Sequence, residues 1–158
     1  MHLAIAGIRL AQQPALAGVK HCNRLEQVIA RQQLDALGVD EGILLDTEGA
    51  VIEGCAANLF ILEGDRLLTP VLSECGVAGV MRDAVLQSLA EKSGLEVAAT
   101  LIDLPRLLAC DGIMLCNSVR GVSTVASLRT EDGGRRVWDV PQSLAQLQSL
   151  VAASMEAV

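Results

Sequence analysis

Aromatic side chains are almost missing from this chain: Phe60 and Trp138 are the only two. Its core must therefore be built from Leu, Val, Ile and Ala, which pack by volume with almost no ring stacking. Basic residues are also scarce. Twelve Lys and Arg face nineteen Asp and Glu, a net charge of −7, and no Lys/Arg run offsets it. An acidic surface repels phosphodiester backbones, so no nucleic-acid partner is expected. One local anion stays open, because a helix N-terminus binds phosphate whatever the net charge. No CxxC pair occurs, and the five cysteines (22, 55, 75, 110 and 116) are odd in number. Neither a metal site nor a disulfide framework is expected, and reduced thiols in a cytoplasm are the simplest reading. Apolar runs are cut by Gly, Asp or Arg before they reach spanning length, so no membrane association is expected. The opening MHLAIAGIRL is apolar but short, and it lacks the basic leader and small-residue cleavage pattern of a signal peptide.

What is present fits a globular domain. The 158 residues, 51% hydrophobic and 20% charged, are enough for one core. Residues 3–10 read as a strand and 11–19 as a loop. A helix is expected from Asn23, with Asn23 as N-cap and Glu26 completing a capping box. Leu25, Val28, Ile29 and Ala36 would form its apolar face, and Gly38 would end it. Two hairpins follow, 42–46 with 50–53 and 58–62 with 66–70, each around a Gly-containing turn. A helix is expected at about 80–92 with Met81, Val85 and Leu89 on one face. Then come a strand at 95–102, a short helix at 104–110, strands at 112–118 and 121–128, and a turn at 131–134. A last helix near 142–156 places Leu144, Leu147 and Val151 inward. Hairpins interleaved with packing helices predict an α+β fold with a curved or barrel-like mixed sheet.

Three segments could carry chemistry, and each admits two readings. In GVKHCNRLEQ, Lys20 lies between a loop and a helix. It is either a solvated surface lysine or an amine held near a carbonyl for Schiff-base chemistry. In VIEGCAANLF, Glu53 ends a strand and meets Gly54, Cys55, Ala56 and Ala57. Either this is a tight crossover with a solvated acid, or the small residues leave room for a flat ring whose nitrogen Glu53 keeps protonated. In GVAGVMR (76–82), glycines precede a helix. They serve loop geometry alone, or they expose backbone N–H groups to a phosphate. No GK[ST] follows, so this is not a Walker motif.

In this order, the three segments resemble the class IV, or fold-type IV, aminotransferase family of pyridoxal 5'-phosphate (PLP) enzymes. The resemblance runs from about residue 3 to about residue 128. GVKHCNRLEQV and EGCAANLF look most like its aminodeoxychorismate lyase branch, although EG-x-x-x-N-x-F is shared across the family. The resemblance implies the C-terminal, cofactor-binding domain of the D-amino-acid aminotransferase-like fold, over residues 1–158. It implies that Lys20 carries the cofactor and is catalytic, and that Glu53 contacts the pyridine nitrogen. It implies that the amides of Val80 and Met81 and the hydroxyl of Ser118 hold the phosphate, and that Asn58 supports the cofactor-side loop. The implied reaction splits 4-amino-4-deoxychorismate into 4-aminobenzoate and pyruvate, on the way to folate. Lys20 would remove the proton from the amine-bearing carbon. The implied assembly is a cytoplasmic homodimer.

One departure matters. The chain has no match to the smaller N-terminal domain of the family, which normally supplies an arginine to the phosphate and groups that meet the substrate. The chain therefore reads as a fragment with reduced or absent turnover. Two further readings compete: a class IV aminotransferase acting on a D-amino or branched-chain acid, and a non-catalytic assembly domain.

Overall fold

The computed structural model describes residues 1–89 and 92–156. It contains two five-stranded mixed sheets and four labelled helices. The first sheet has the order β10-β9-β1-β2-β3, from Arg135–Val137, Ser127–Arg129, His2–Leu10, Glu41–Asp46 and Val51–Gly54. The second has the order β6-β5-β4-β7-β8, from Glu96–Thr100, Arg66–Pro70, Asn58–Glu63, Gly112–Asn117 and Gly121–Thr124. Helix α1 is Leu25–Leu37, α2 is Val80–Ala84, α3 is Leu104–Ala109 and α4 is Gln142–Glu156. Helix α2 continues through a π turn, Val85–Leu89.

The period-2 alternation of the strands builds three layers of core. Leu3 and Ile5 of β1 join Leu59 and Ile61 of β4 and Ile113 and Leu115 of β7 in one cluster, which Trp138 completes. The intervening residues point the other way. Phe60, Leu62 and Met114 meet Val85 and the α4 residues Leu144, Leu147 and Val151. Ala4 and Ala6 meet Ala30 and Leu34 of α1. Each fully buried Leu contributes roughly 1.5–3 kcal/mol. Trp138, one of the two aromatic residues, also donates its indole N–H to the Cys110 carbonyl at 2.9 Å. The expected hairpins form, β2–β3 and β4–β5, both antiparallel. The expected inward face of α4 is buried as well.

Three local expectations are corrected, and one strand is added. Asn23 does not cap α1. The helix starts at Leu25 with Arg24 in the cap position, and the Glu26 carboxylate accepts from the Ala11 amide instead (2.9 Å). The apolar face of α1 is also displaced: Leu25 and Val28 are 67% and 53% exposed, Ala36 is exposed, and Ala30 and Leu34 are buried. The reason is steric. A Leu34 methyl fills the place where a Cβ on Gly42 would stand, so the helix lies with its Ala30–Leu34 ridge on β1 and β2. The expected single strand at 121–128 is two. The chain leaves the second sheet after Thr124 and enters the first at Ser127, with Val125 buried between them. Strand β10 was not expected. Of the helix expected at 80–92, Met81 and Val85 do pack inward, while residues 90–91 and the Leu89 side chain lie outside the described residues.

Candidate active site

The site begins with the turn that leaves β3. Glu53 is the third residue of that strand, and its side chain is 3% exposed. Such a carboxylate needs partners, and the fold supplies several. Its Oε2 accepts from the Val77 amide at 2.8 Å. Its Oε1 lies 3.4 Å from Gln27 Nε2 and 3.7 Å from an Arg24 guanidinium nitrogen. Arg24 also donates to the Cys55 carbonyl at 3.2 Å. Burial pushes the Glu53 pKa up, against the Val77 N–H, the Arg24 charge, the Gln27 amide and the Lys20 charge, all of which pull it down; burial wins.

Lys20 reaches the same place by a different route. The loop before it pairs with the loop before α2: the Gly18 amide donates to the Gly76 carbonyl (2.9 Å), and the Ala78 amide donates to the Gly18 carbonyl (3.0 Å). The α2-side loop is in turn pinned by Asn58. Its carboxamide donates to the Val77 carbonyl at 2.6 Å and accepts from the Gly79 amide at 3.1 Å. Gly79 must stay small, because a Cβ there would collide with Asn58 Oδ1. Gly76 is required twice over. Its φ is +87°, and a Cβ would stand 2.7 Å from Ile52 and 2.8 Å from Leu72. Arg82, buried in α2, fixes the helix start to β5 by donating to Thr69 Oγ1 (3.2 Å) and the Pro70 carbonyl (3.0 Å).

These elements enclose a cavity of about 430 Å³, within the roughly 300–1,000 Å³ range of small-molecule sites. Lys20, Glu53, Asn58, Val80, Met81 and Ser118 all line it, so the six residues singled out from the sequence converge on one place. Gly54, Ala56 and Ala57 form a low wall, and Arg24, Val77 and Asn117 complete much of the rest. A second cavity of about 400 Å³ shares Arg24, Glu53 and Val77 with the first, and extends past Gln27, His21 and Gln12.

Arg24, Gln27 and Val77 were not identified from the sequence as site residues. Arg24 lies inside the motif that carries Lys20, and that proximity was its one signal. Val77 contributes a backbone amide and carbonyl, which a side-chain motif cannot announce. Chemically, the cavity joins an amine, a buried carboxylate whose pKa burial raises, a hydroxyl and the first amides of a helix, which have no partner within that helix. Such a set can hold a phosphorylated, flat heterocycle and move a proton beside it.

Comparisons with known proteins bear on the family and the fold. A family model described as amino-transferase class IV matches residues 3–128. An aminodeoxychorismate lyase of Vibrio harveyi is 39% identical over 128 residues, which are 81% of this chain and 47% of that protein. A putative branched-chain-amino-acid aminotransferase of Methanocaldococcus jannaschii is 35% identical over 107 residues, 68% of this chain and 37% of the relative. The crystal structure of 4-amino-4-deoxychorismate lyase from Pseudomonas aeruginosa matches with a TM-score of 0.88 and 38% identity, over 97% of this chain and 54% of that one. The chain thus spans about half the length of the relatives it matches, or less.

Proposed function

This chain belongs to the amino-transferase class IV family, and from that premise we propose that it carries the cofactor and the acid–base groups of an aminodeoxychorismate lyase. Enzymes of this family depend on PLP. The proposed reaction releases 4-aminobenzoate and pyruvate from 4-amino-4-deoxychorismate. The observation that carries the reading is the convergence of Lys20 and Glu53 on one cavity with the start of α2 and Ser118. The likeness to the Vibrio harveyi lyase favours that branch over the aminotransferases.

The residues present fit the cofactor. The small wall at Gly54, Ala56 and Ala57 leaves room for a ring, and Glu53 presents a buried carboxylate to it. The first amides of α2, at Val80 and Met81, and the Ser118 hydroxyl suit a phosphate. When bound, PLP supplies an electron sink at its protonated ring. This chain supplies what keeps that sink in order. Glu53, anchored by the Val77 amide and beside the Arg24 charge, would face the ring nitrogen and, as an anion, would favour the protonated ring. Asn58 and Arg82 hold the α2 loop in register. Lys20 would hold the cofactor through its amine and would be placed to take the proton from the amine-bearing carbon. The enolpyruvyl group would depart as the enol of pyruvate, and the ring left behind would be aromatic.

The proposal places residues 1–158 as the cofactor domain, which works with a further domain corresponding to the unmatched part of the relatives. It also places the active form as a homodimer in the cytoplasm. All five cysteines are free thiols, which accords with a reducing compartment. The test is to join the chain to the complementary N-terminal part of the lyase, supply aminodeoxychorismate and assay 4-aminobenzoate. Product above that of a Lys20→Ala control is expected. Amino transfer to 2-oxoglutarate or pyruvate without 4-aminobenzoate would move the assignment to the aminotransferase branch.

A further inference from the structure

We infer that Arg120 and Glu41 form a latch that presses the Ser118–Val119 turn against the cavity and so sets how tightly the phosphate end of the cofactor is held. The inference rests on the PLP site proposed above. Residues 118–120 join β7 to β8, and Ser118 and Val119 line the cavity. The turn is shaped by Asn117, whose Oδ1 accepts from the amides of Val119 (3.0 Å) and Arg120 (2.8 Å). Two anchors then fix it in space. Asn117 Nδ2 donates to the Ala56 carbonyl at 2.9 Å, and Arg120 Nη2 donates to Glu41 Oε2 at 3.0 Å.

The second anchor crosses between the sheets. Glu41 is the first residue of β2, in the sheet opposite the one that carries the turn. Its side chain is 3% exposed, against 43% for Arg120. Its other oxygen accepts from the Gly42 amide at 3.1 Å and lies 4.0 Å from Arg31. It also packs beneath the cavity wall, since a Cβ on Gly54 would stand 3.5 Å from Glu41 Cγ. An ion pair between two mobile surface groups would carry little. Here one partner is buried and already oriented, so the guanidinium must come to it, and the turn comes with the guanidinium. Arg120 is thus a positioning residue, acting through Ser118.

The test compares PLP with pyridoxal, which lacks the phosphate, as ligands of the full chain. Both are titrated into wild type and into Arg120→Met, Arg120→Lys and Glu41→Gln, by absorbance. Arg120→Met is expected to raise the PLP Kd about fivefold to tenfold while the pyridoxal Kd stays within about twofold. Arg120→Lys should recover part of the loss, and Glu41→Gln should show the same selective weakening. Equal weakening for both ligands, or no change for PLP, would overturn the latch and leave the site reading intact. A wild type that binds neither ligand would overturn the site reading itself, and the latch with it.

Discussion

Asn58 and Gly79 offer a close test of how the loop before α2 is built. Asn58 is buried and makes two hydrogen bonds to that loop, to the Val77 carbonyl and from the Gly79 amide. Asn58→Ala removes both and leaves two backbone groups short of a partner. At about 1–2 kcal/mol for each, the loss is about 2–4 kcal/mol, or roughly 5–12 °C in Tm for a chain of this size. Gly79→Ala acts on the same contact from the other side. Gly79 has φ −77° and ψ 144°, a conformation that alanine adopts freely, so its cost is the collision of the new methyl with Asn58 Oδ1. Overpacking of this kind costs about 1–3 kcal/mol. In the Asn58→Ala background the carboxamide is gone and the methyl has room. Gly79→Ala should then cost almost nothing, a coupling of about 1–3 kcal/mol across the cycle. Urea denaturation of the four proteins measures it. Additivity within about 0.5 kcal/mol would refute the contact, and so would an Asn58→Ala loss below that value.

Two other outcomes follow from the same geometry. Burial raises the Glu53 pKa in the folded protein above its ordinary 4.5. The group's contribution to stability is therefore present below that ordinary value and is lost as pH rises through the raised one. Cofactor-free Glu53→Gln should be more stable than wild type near pH 7, with the gap closing toward pH 4; thermal melts across pH that show no such convergence would contradict this. Cys22 is exposed, while Cys55, Cys75, Cys110 and Cys116 are buried. Burial pushes Cys55, Cys75 and Cys116 up to about 12 and Cys110 up to about 11. A thiol reagent at pH 8 should label one cysteine per native chain and all five after denaturation, and Cys22→Ser should abolish the native reaction.

The sequence was most legible where one physical rule decides the outcome. The β2–β3 and β4–β5 hairpins follow from short apolar runs on either side of Gly49 and Gly64, both at positive φ. Helix α4 follows from Leu144, Leu147 and Val151 at helical spacing. Reading failed where tertiary packing overrode a local rule. Asn23 and Glu26 fit a capping box, yet Glu26 is taken by the Ala11 amide. Leu25 and Val28 read as core, yet the α1 ridge is set by the space that Gly42 leaves for Leu34. Residues 121–128 show unbroken strand character, and nothing local marks Val125 as the crossing between sheets. At the site, the lysine, the acid and the glycine loop were legible as separate motifs. Their convergence depends on the pairing of Gly18 with Val77, a long-range register that no local pattern encodes.

Borohydride trapping with PLP probes that convergence most directly. The chain has two lysines, Lys20 and Lys92, so peptide mapping by mass spectrometry gives an unambiguous address. A phosphopyridoxyl group is expected on Lys20, at about one per chain near stoichiometric PLP, with greatly reduced labelling in Glu53→Ala. Labelling of Lys92 or the N-terminal amine in preference to Lys20, or no labelling in excess PLP, would contradict the account.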